Sequence, residues 1–258
     1  MVGSGSNVPG VTGKVVVVTG ASGGIGSATA HAFIDAGASV WLLDRDEAVL
    51  KLGATLGVPA SQVDVRDSGD VDSAFGSLVG QLGAPSSLIH AAGVLSSGPV
   101  DSLTDADWFE TMQVNATGTM NVTRAAARVM AGPASITVIG SNAGATPRAG
   151  MAAYGASKAA ATSFVRSLGL ELAHRGIRCN IISPGSTDTD MLRGMWSSED
   201  ESEKVIAGDP SRYRLGIPLR RIAKADDIAA SALFLASDAA RHITLHDLRV
   251  DGGATLDA

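Results

Sequence analysis

Val15-Val16-Val17-Val18-Thr19-Gly20-Ala21-Ser22-Gly23-Gly24-Ile25-Gly26 is the stretch that decides the fold. Its β-branched start reads as a strand buried on both faces, because a strand covered on both sides is apolar without alternation. The glycines that follow allow a tight turn and let backbone N–H groups approach a pyrophosphate. Helix-compatible apolar spacing then runs from Ile25 to Ala36 and stops at Gly37, a residue type that closes helices readily. Strand, glycine turn and helix in this order set a helix N-terminus, with its free donors and positive dipole end, beside the turn. A glycine cluster alone is weak evidence; its place between strand and helix gives it weight. The spacing is T-G-x-x-x-G-x-G rather than the commoner G-x-G-x-x-G.

Outward from this unit the same rhythm repeats. Val40–Leu43 reads as the second strand and stops at Asp44. Further strands are expected near Gln62–Val65, Leu88–Ala91, Ile136–Ile139, Arg178–Ile182 and Leu248–Asp251, with helical segments between them. Alternating strands and helices imply parallel strands joined by crossovers, hence an α/β fold: a single-domain, Rossmann-type doubly wound sheet with helices on both faces. The 258 residues suit one such domain over residues 13–258. Met1–Thr12, rich in Gly, Ser and Pro, reads as a flexible lead-in without the charged start and apolar centre of a signal peptide, so cytoplasm is the expected compartment. The polar stretch Ser186–Gly216, with Trp196 and the acidic cluster Glu199, Asp200, Glu201 and Glu203, follows a strand. It is expected over the carboxyl edge of the sheet as a substrate lid, or else as a solvated insertion.

Composition excludes several classes. The formal charge is -6 and no basic tract occurs, which argues against a nucleic-acid or anionic-membrane surface. Hydrophobic residues make up 45%, yet no apolar run approaches the roughly 20 residues of a membrane span. The single cysteine, Cys179, lies in an apolar run and reads as a buried strand residue. His31, His90, His174, His242 and His246 show no metal-ligand spacing, so no metal is expected.

Residues at the strand ends carry the chemistry. Asp44, 18 residues after Gly26, can accept from the ribose hydroxyls of NAD and would repel the phosphate of NADP; Arg45 pulls the other way, because it can pair with that phosphate. Tyr154 and Lys158 share one helix face at i, i+4 spacing. A tyrosine near pKa 10 is a poor base at neutral pH, but a nearby ammonium and a positive nicotinamide ring both favour the phenolate. Ser141, ending the fifth strand, can hold the reacting oxygen, and Asn115 can hold a water linking Lys158 to solvent. Thr187 and Thr189, after Pro184-Gly185, can bond the nicotinamide amide or the phosphates.

The glycine turn, Tyr154-x-x-x-Lys158, Ser141, Asn115 and Pro184-Gly185, in this order, resemble the short-chain dehydrogenase/reductase family over residues 13–258. The resemblance implies an Asn115–Ser141–Tyr154–Lys158 catalytic tetrad and a homotetramer. It also implies an NAD site built from Gly20, Ser22, Gly23, Gly24, Ile25, Gly26, Asp44 and Arg45, with Tyr154 and Lys158 at its nicotinamide end. Asp64-Val65 would lie beside the adenine ring, and Ala91, Ala92 and Gly93 would leave space for the cofactor. His90-Ala91-Ala92-Gly93 departs from the family's Asn-Asn-Ala-Gly at its first two positions, and His90 reads as a satisfied structural histidine. Thr146-Pro147-Arg148, the stretch from Pro184 to Trp196, Leu215–Leu219 and His242–Asp247 look like the dihydroxybenzoate-forming members, which supply a siderophore precursor. That branch implies a small carboxylated cyclohexadiene substrate. Arg148, with Arg193 as a second candidate, can grip its carboxylate, and Met151, Met191 and Trp196 can wall its ring. Three other readings stay open: the amino analogue 2,3-dihydro-3-hydroxyanthranilate, leading to 3-hydroxyanthranilate for secondary metabolism; 3-oxoacyl thioesters; and a non-catalytic NAD-sensing protein on the same fold.

Overall fold

The computed structural model describes residues 7–196 and 201–256. Seven parallel strands form the central sheet: β1 (Val15–Thr19), β2 (Ser39–Asp44), β3 (Ala60–Gln62), β4 (Ser87–His90), β5 (Ala134–Ile139), β6 (Ile177–Pro184) and β7 (Asp247–Val250). Their order is β7-β6-β5-β4-β1-β2-β3. The chain winds outward from β1 to β3, then returns to start again at β4 on the other side of β1. Between β1 and β4 the crossovers leave in opposite directions, which opens a crevice at the carboxyl ends.

The helices are α1 (Gly24–Asp35), α2 (Ala48–Leu56), α3 (Ser68–Leu82), α4 (Asp105–Met112), α5 (Gly118–Val129), α6 (Ala152–Leu172), α7 (Asp190–Arg193), α8 (Glu201–Ala207) and α9 (Ala225–Ala236). The valine run of β1 serves two cores. Val17 packs with Leu88, Ile136 and Ile181 under Phe75 of α3, Val122 of α5 and Val165 of α6. Val16 and Val18 point the other way, into Phe33 of α1, Ile182 and Leu235 of α9. This two-sided burial is why the run is apolar without a polar break. Helix α1 closes as expected, with Gly37 at φ +78° just after its end.

Two expectations change and a third gains detail. The third strand is Ala60–Gln62 rather than Gln62–Val65. Val63 N still donates to Asp44 O at 2.7 Å, but Asp64 Oδ1 then accepts Arg66 N at 2.9 Å, and that local turn ends the ladder. In the lead-in, residues 7–12 are packed rather than free: Val11 is buried, and Asp238 N donates to Pro9 O at 3.0 Å. The 186–216 stretch carries short structure of its own. Thr187–Asp188 pairs with Ala223–Lys224, and Gly208–Asp209 pairs antiparallel with Arg214–Leu215. Of its acidic cluster, Glu199 and Asp200 lie outside the described residues.

Phe33 is 0% exposed at the contact of α1 with the sheet. Phe33→Ala should lower unfolding free energy by about 3–5 kcal/mol, read by urea denaturation; a loss under about 1 kcal/mol would mean this layer is not close-packed.

Candidate active site

The turn after β1 is as tight as a backbone allows. Gly20 takes φ +67°, and a Cβ there would stand 2.5 Å from Ala92 N. A Cβ on Gly26 would meet the Gly20 carbonyl oxygen at 2.0 Å, and one on Gly24 would reach Thr189 Cγ2 at 2.9 Å. Gly23 caps α1 with no side-chain hydrogen bond, which leaves first-turn donors for an outside acceptor. Ser22 Oγ is buried there without a partner. A closed glycine cradle, an uncapped helix start and an orphaned hydroxyl together fit a dinucleotide whose pyrophosphate rests on the turn.

Asp44 fastens this turn to β2: its Oδ2 accepts Ser22 N at 2.9 Å and its Oδ1 accepts Asp46 N at 3.0 Å. A carboxylate offers about four acceptor positions, so room is left for ribose hydroxyls. Arg45 turns to α4 and donates to Glu110 Oε1 at 3.3 Å. Arg66 donates to the other Glu110 oxygen at 2.7 Å and also grips Asp64. The Arg66 guanidinium holds the Asp64 carboxyl below its usual range. Val65 is buried, and Asn121 Nδ2 donates to its carbonyl at 3.0 Å, which ties this loop to α5.

His90 is a structural histidine with both ring nitrogens occupied. Thr119 Oγ1 donates to Asn115 O at 2.6 Å, so its contact of 3.1 Å with His90 Nε2 is accepted from the ring. Nδ1 then accepts from Thr19 Oγ1 at 2.7 Å. This network assigns the neutral Nε2–H tautomer. Burial, and then the Lys158 charge, push the ring pKa down to about 3. The chain of bonds runs from β1 through β4 to α5.

Asn115 sits in a one-turn π segment, Gln113–Thr117, between α4 and α5, a distortion often found at functional sites. Its amide makes three bonds: Oδ1 accepts Val94 N at 2.9 Å, and Nδ2 donates to Val94 O at 2.9 Å and Ser157 Oγ at 2.9 Å. One acceptor position on Oδ1 is left for the expected water, and Asn115 also pins the loop after β4 to α6. Gly93 makes this possible, since a Cβ there would stand 3.2 Å from both Asn115 Oδ1 and Lys158 Nζ.

Helix α6 starts at the carboxyl edge and presents Tyr154 and Lys158 on its buried face. Lys158 Nζ donates to Ile139 O at 3.0 Å and lies 5.8 Å from the Tyr154 ring centre. Burial pushes Lys158 down to about 8. Burial raises the Tyr154 phenol above its ordinary value, while the Ser141 hydroxyl and the Arg148 charge pull it back. In the protein alone, desolvation outweighs the help from Ser141 and Arg148. Ser141 follows β5, and its Oγ also accepts Ala143 N at 3.2 Å.

Ser141, Tyr154 and Lys158 open onto a cavity of about 520 Å³. Ile25, Ala91, Gly93, Pro184, Gly185, Thr187 and Thr189 line it towards the glycine turn, and Arg148, Met151, Met191 and Trp196 line it on the other side. Thr189 caps α7, accepting Leu192 N at 3.4 Å. Arg193 does not join them. It is exposed and grips Asp188 with two bonds, at 2.7 and 2.9 Å. Met195 and the arginines Arg212 and Arg214 line the cavity as well; nothing in their sequence spacing marks them. Cys179 is buried in β6, and burial pushes its thiol up to about 12, so it is no nucleophile.

The family model described as enoyl-(acyl carrier protein) reductase matches residues 20–255. The 2,3-dihydro-2,3-dihydroxybenzoate dehydrogenase of Escherichia coli (strain K12) is 47% identical over 96% of this chain and 99% of its own. That of Bacillus subtilis (strain 168) is 44% identical over 97% and 99%. The chain belongs to the short-chain dehydrogenase/reductase family. A solved dehydrogenase/reductase from Sinorhizobium meliloti 1021 superposes with TM-score 0.82 at 32% identity, over 95% of this chain and 96% of that one. The protein is thus an oxidoreductase of a family that uses nicotinamide cofactors.

Gly26→Ala should weaken NADH binding by about tenfold or more, followed by the change in nicotinamide fluorescence on titration. Unchanged affinity would remove the glycine turn from the cofactor site.

Proposed function

We propose that this enzyme oxidises the C3 hydroxyl of 2,3-dihydro-2,3-dihydroxybenzoate with NAD, giving 2,3-dihydroxybenzoate after aromatisation. The observation that carries the reading is Arg148, part-buried in the same cavity as Tyr154 and Ser141 and near enough for its charge to act on the phenol. A guanidinium facing a small cavity suits a ring carboxylate. The two dehydrogenases named above, nearly full-length matches, support it further.

The residues divide the work. Tyr154, as phenolate, takes the proton of the C3 hydroxyl, and the Ser141 hydroxyl donates to that oxygen as it becomes a carbonyl. Lys158, held by the Ile139 carbonyl, supplies charge near the phenol, and Asn115 keeps Val94 and α6 in place around it. Bound NAD would accept the C3 hydride and add positive charge that favours the phenolate. The ketone then loses its C2 proton and enolises to the catechol, which makes the step hard to reverse. Asp44 favours NAD over NADP, and the engagement of Arg45 by Glu110 weakens the one contrary signal.

Feeding catechol acid to siderophore assembly in the cytoplasm belongs to the same proposal, as does a homotetramer. Among the described residues no helix is long and apolar enough to cross a membrane. Phe109 on α4 and Leu170 on α6, 62% and 69% exposed, are apolar surface that a second copy would cover; light scattering on the purified protein tests the assembly.

Purified protein, NAD and each of the two dihydro acids in turn should give NADH fastest with the dihydroxy acid. Preference for the amino acid would move the product to 3-hydroxyanthranilate. NAD binding with turnover of neither would leave a sensing protein or another alcohol. Tyr154→Phe should remove nearly all turnover and keep NADH binding; retained turnover would remove Tyr154 from the chemistry.

The rate of oxidation should rise with pH as Tyr154 ionises. Arg148 lowers the phenol pKa, so Arg148→Met should move that rising limb to higher pH. A limb that stays put or moves to lower pH would show that Arg148 does not face the phenol.

A further inference from the structure

The reaction as described leaves a second guanidinium of the cavity unused. Arg214 stands on the hairpin in which Gly208–Asp209 pairs antiparallel with Arg214–Leu215. Its legs touch because both flanking residues lack side chains. A Cβ on Gly208, at φ +83°, would lie 2.4 Å from Gly216 N, and one on Gly216 would lie 2.5 Å from Ile206 O. Tyr213 takes φ 54° and is 96% exposed. The next side chain therefore turns the other way, and Arg214 is part-buried on the cavity wall. Its Nη2 donates to Ser186 Oγ at 3.1 Å, just past β6. At the hairpin's turn, Arg212 Nη2 donates to Ala149 O at 3.5 Å, next to Arg148. One wall thus collects two part-buried guanidiniums, from the loop after β5 and from the hairpin.

Neither has a carboxylate partner among the described residues. Arg148 Nε is buried with no partner at all. The two nearby acids are engaged elsewhere. Asp251 accepts from Asn142 Nδ2 at 3.1 Å, from Gly253 N at 3.0 Å and from the Thr255 hydroxyl. Asp209 accepts from Ser211 N at 3.0 Å and Ser211 Oγ at 2.6 Å. For Arg148, burial and then the Arg214 charge disfavour the cation, with Asp251 and Tyr154 opposing; for Arg214, burial and then Arg212 do so, with Asp209 opposing. Like charges held together in a half-dry cavity repel until an anion enters between them.

We propose that Arg214 is the second arm of a clamp that, with Arg148, takes the substrate's carboxylate, and that this arm makes the site select an acid over the neutral ring. A carboxylate has two oxygens and about four lone-pair sites, enough for a guanidinium on each side. Because Arg214 rides on the hairpin of the 186–216 stretch, an acid in the clamp also holds that stretch to the sheet edge. The proposal rests on the acidic-substrate reading above and holds for the dihydroxy and amino acids alike.

The test is calorimetric titration of the full chain with NADH bound, using 2,3-dihydroxybenzoate and catechol as probes, in wild type, Arg214→Met and Arg214→Lys. Wild type should bind the acid at least about tenfold tighter than catechol. Arg214→Met should lose most of that preference, with affinity for catechol and NADH unchanged, and Arg214→Lys should keep part of it. A wild-type preference that survives in Arg214→Met overturns the clamp and leaves the acid reading standing. Wild-type binding without preference overturns both. If Arg214→Met fails to bind NADH and so is misfolded, Arg214→Lys decides: full wild-type preference there overturns the need for a guanidinium fork at this position, and a partial loss supports it.

Discussion

Parallel pairing of strands buried on both faces is the constraint on which the site depends. Val15–Val18 can be covered on both sides only if helices return over each face of the sheet, and helical crossovers force neighbouring strands to run the same way. Every strand then ends at one edge. Thr19-Gly20, Asp44, His90-Ala91, Ile139 to Ser141, Pro184-Gly185 and Asp251 arrive there from six different strands. No loop has to reach far to meet another. Gly20 lies against Ala91 and Ala92, and Gly185 against Asp251, so closely that a Cβ at either would stand about 2.5–2.6 Å from a neighbouring atom. The glycines are the cost of bringing so many strand ends together.

At that edge burial works against charge. Lys158 is pushed towards its neutral form and Tyr154 away from phenolate. Both shifts oppose the charged pair that the proposed oxidation needs, and for Tyr154 the opposing help comes from Ser141 and Arg148. The same dryness that penalises an isolated charge strengthens each attraction once charges of both signs are present. A site of this kind is poised: its cations on one wall and its neutral phenol wait for partners that carry the complementary charge. His90 stays out of this balance, because its hydrogen bonds and its burial keep it neutral at any working pH.

The sequence made the sheet, its order of use and the glycine turn legible, because each rests on local periodicity or on a backbone need that only glycine meets. Tyr154 and Lys158 were legible for the same reason, i, i+4 on one helix. Spacing could not show where side chains turn after a strand ends. Arg193 and Arg214 look alike in a polar stretch. One pairs with Asp188 five residues away on an exposed turn, while the other is turned inward by a left-handed Tyr213. The third strand ended early because the Asp64 side chain captured the Arg66 amide, a bond that competes with the ladder. Asn115 was found, but the tie it makes from Val94 to Ser157 is a three-dimensional fact that spacing does not show.

This division has a consequence for how such an enzyme can change substrates. Ser141, Tyr154 and Lys158 sit just after β5 and on α6, against the close-packed core, where a shifted backbone would disturb many neighbours at once. Arg214 sits on a hairpin of two-residue strands whose geometry depends on Gly208, Gly216 and Tyr213 rather than on the core. If Arg214 is the second arm of the proposed clamp, substitutions there alter what the cavity recognises without moving Tyr154 or Lys158. On the proposed reading, chemistry is fixed by the sheet and selection of an acid by a light element resting on it, and Arg214 on that element is hard to read from spacing.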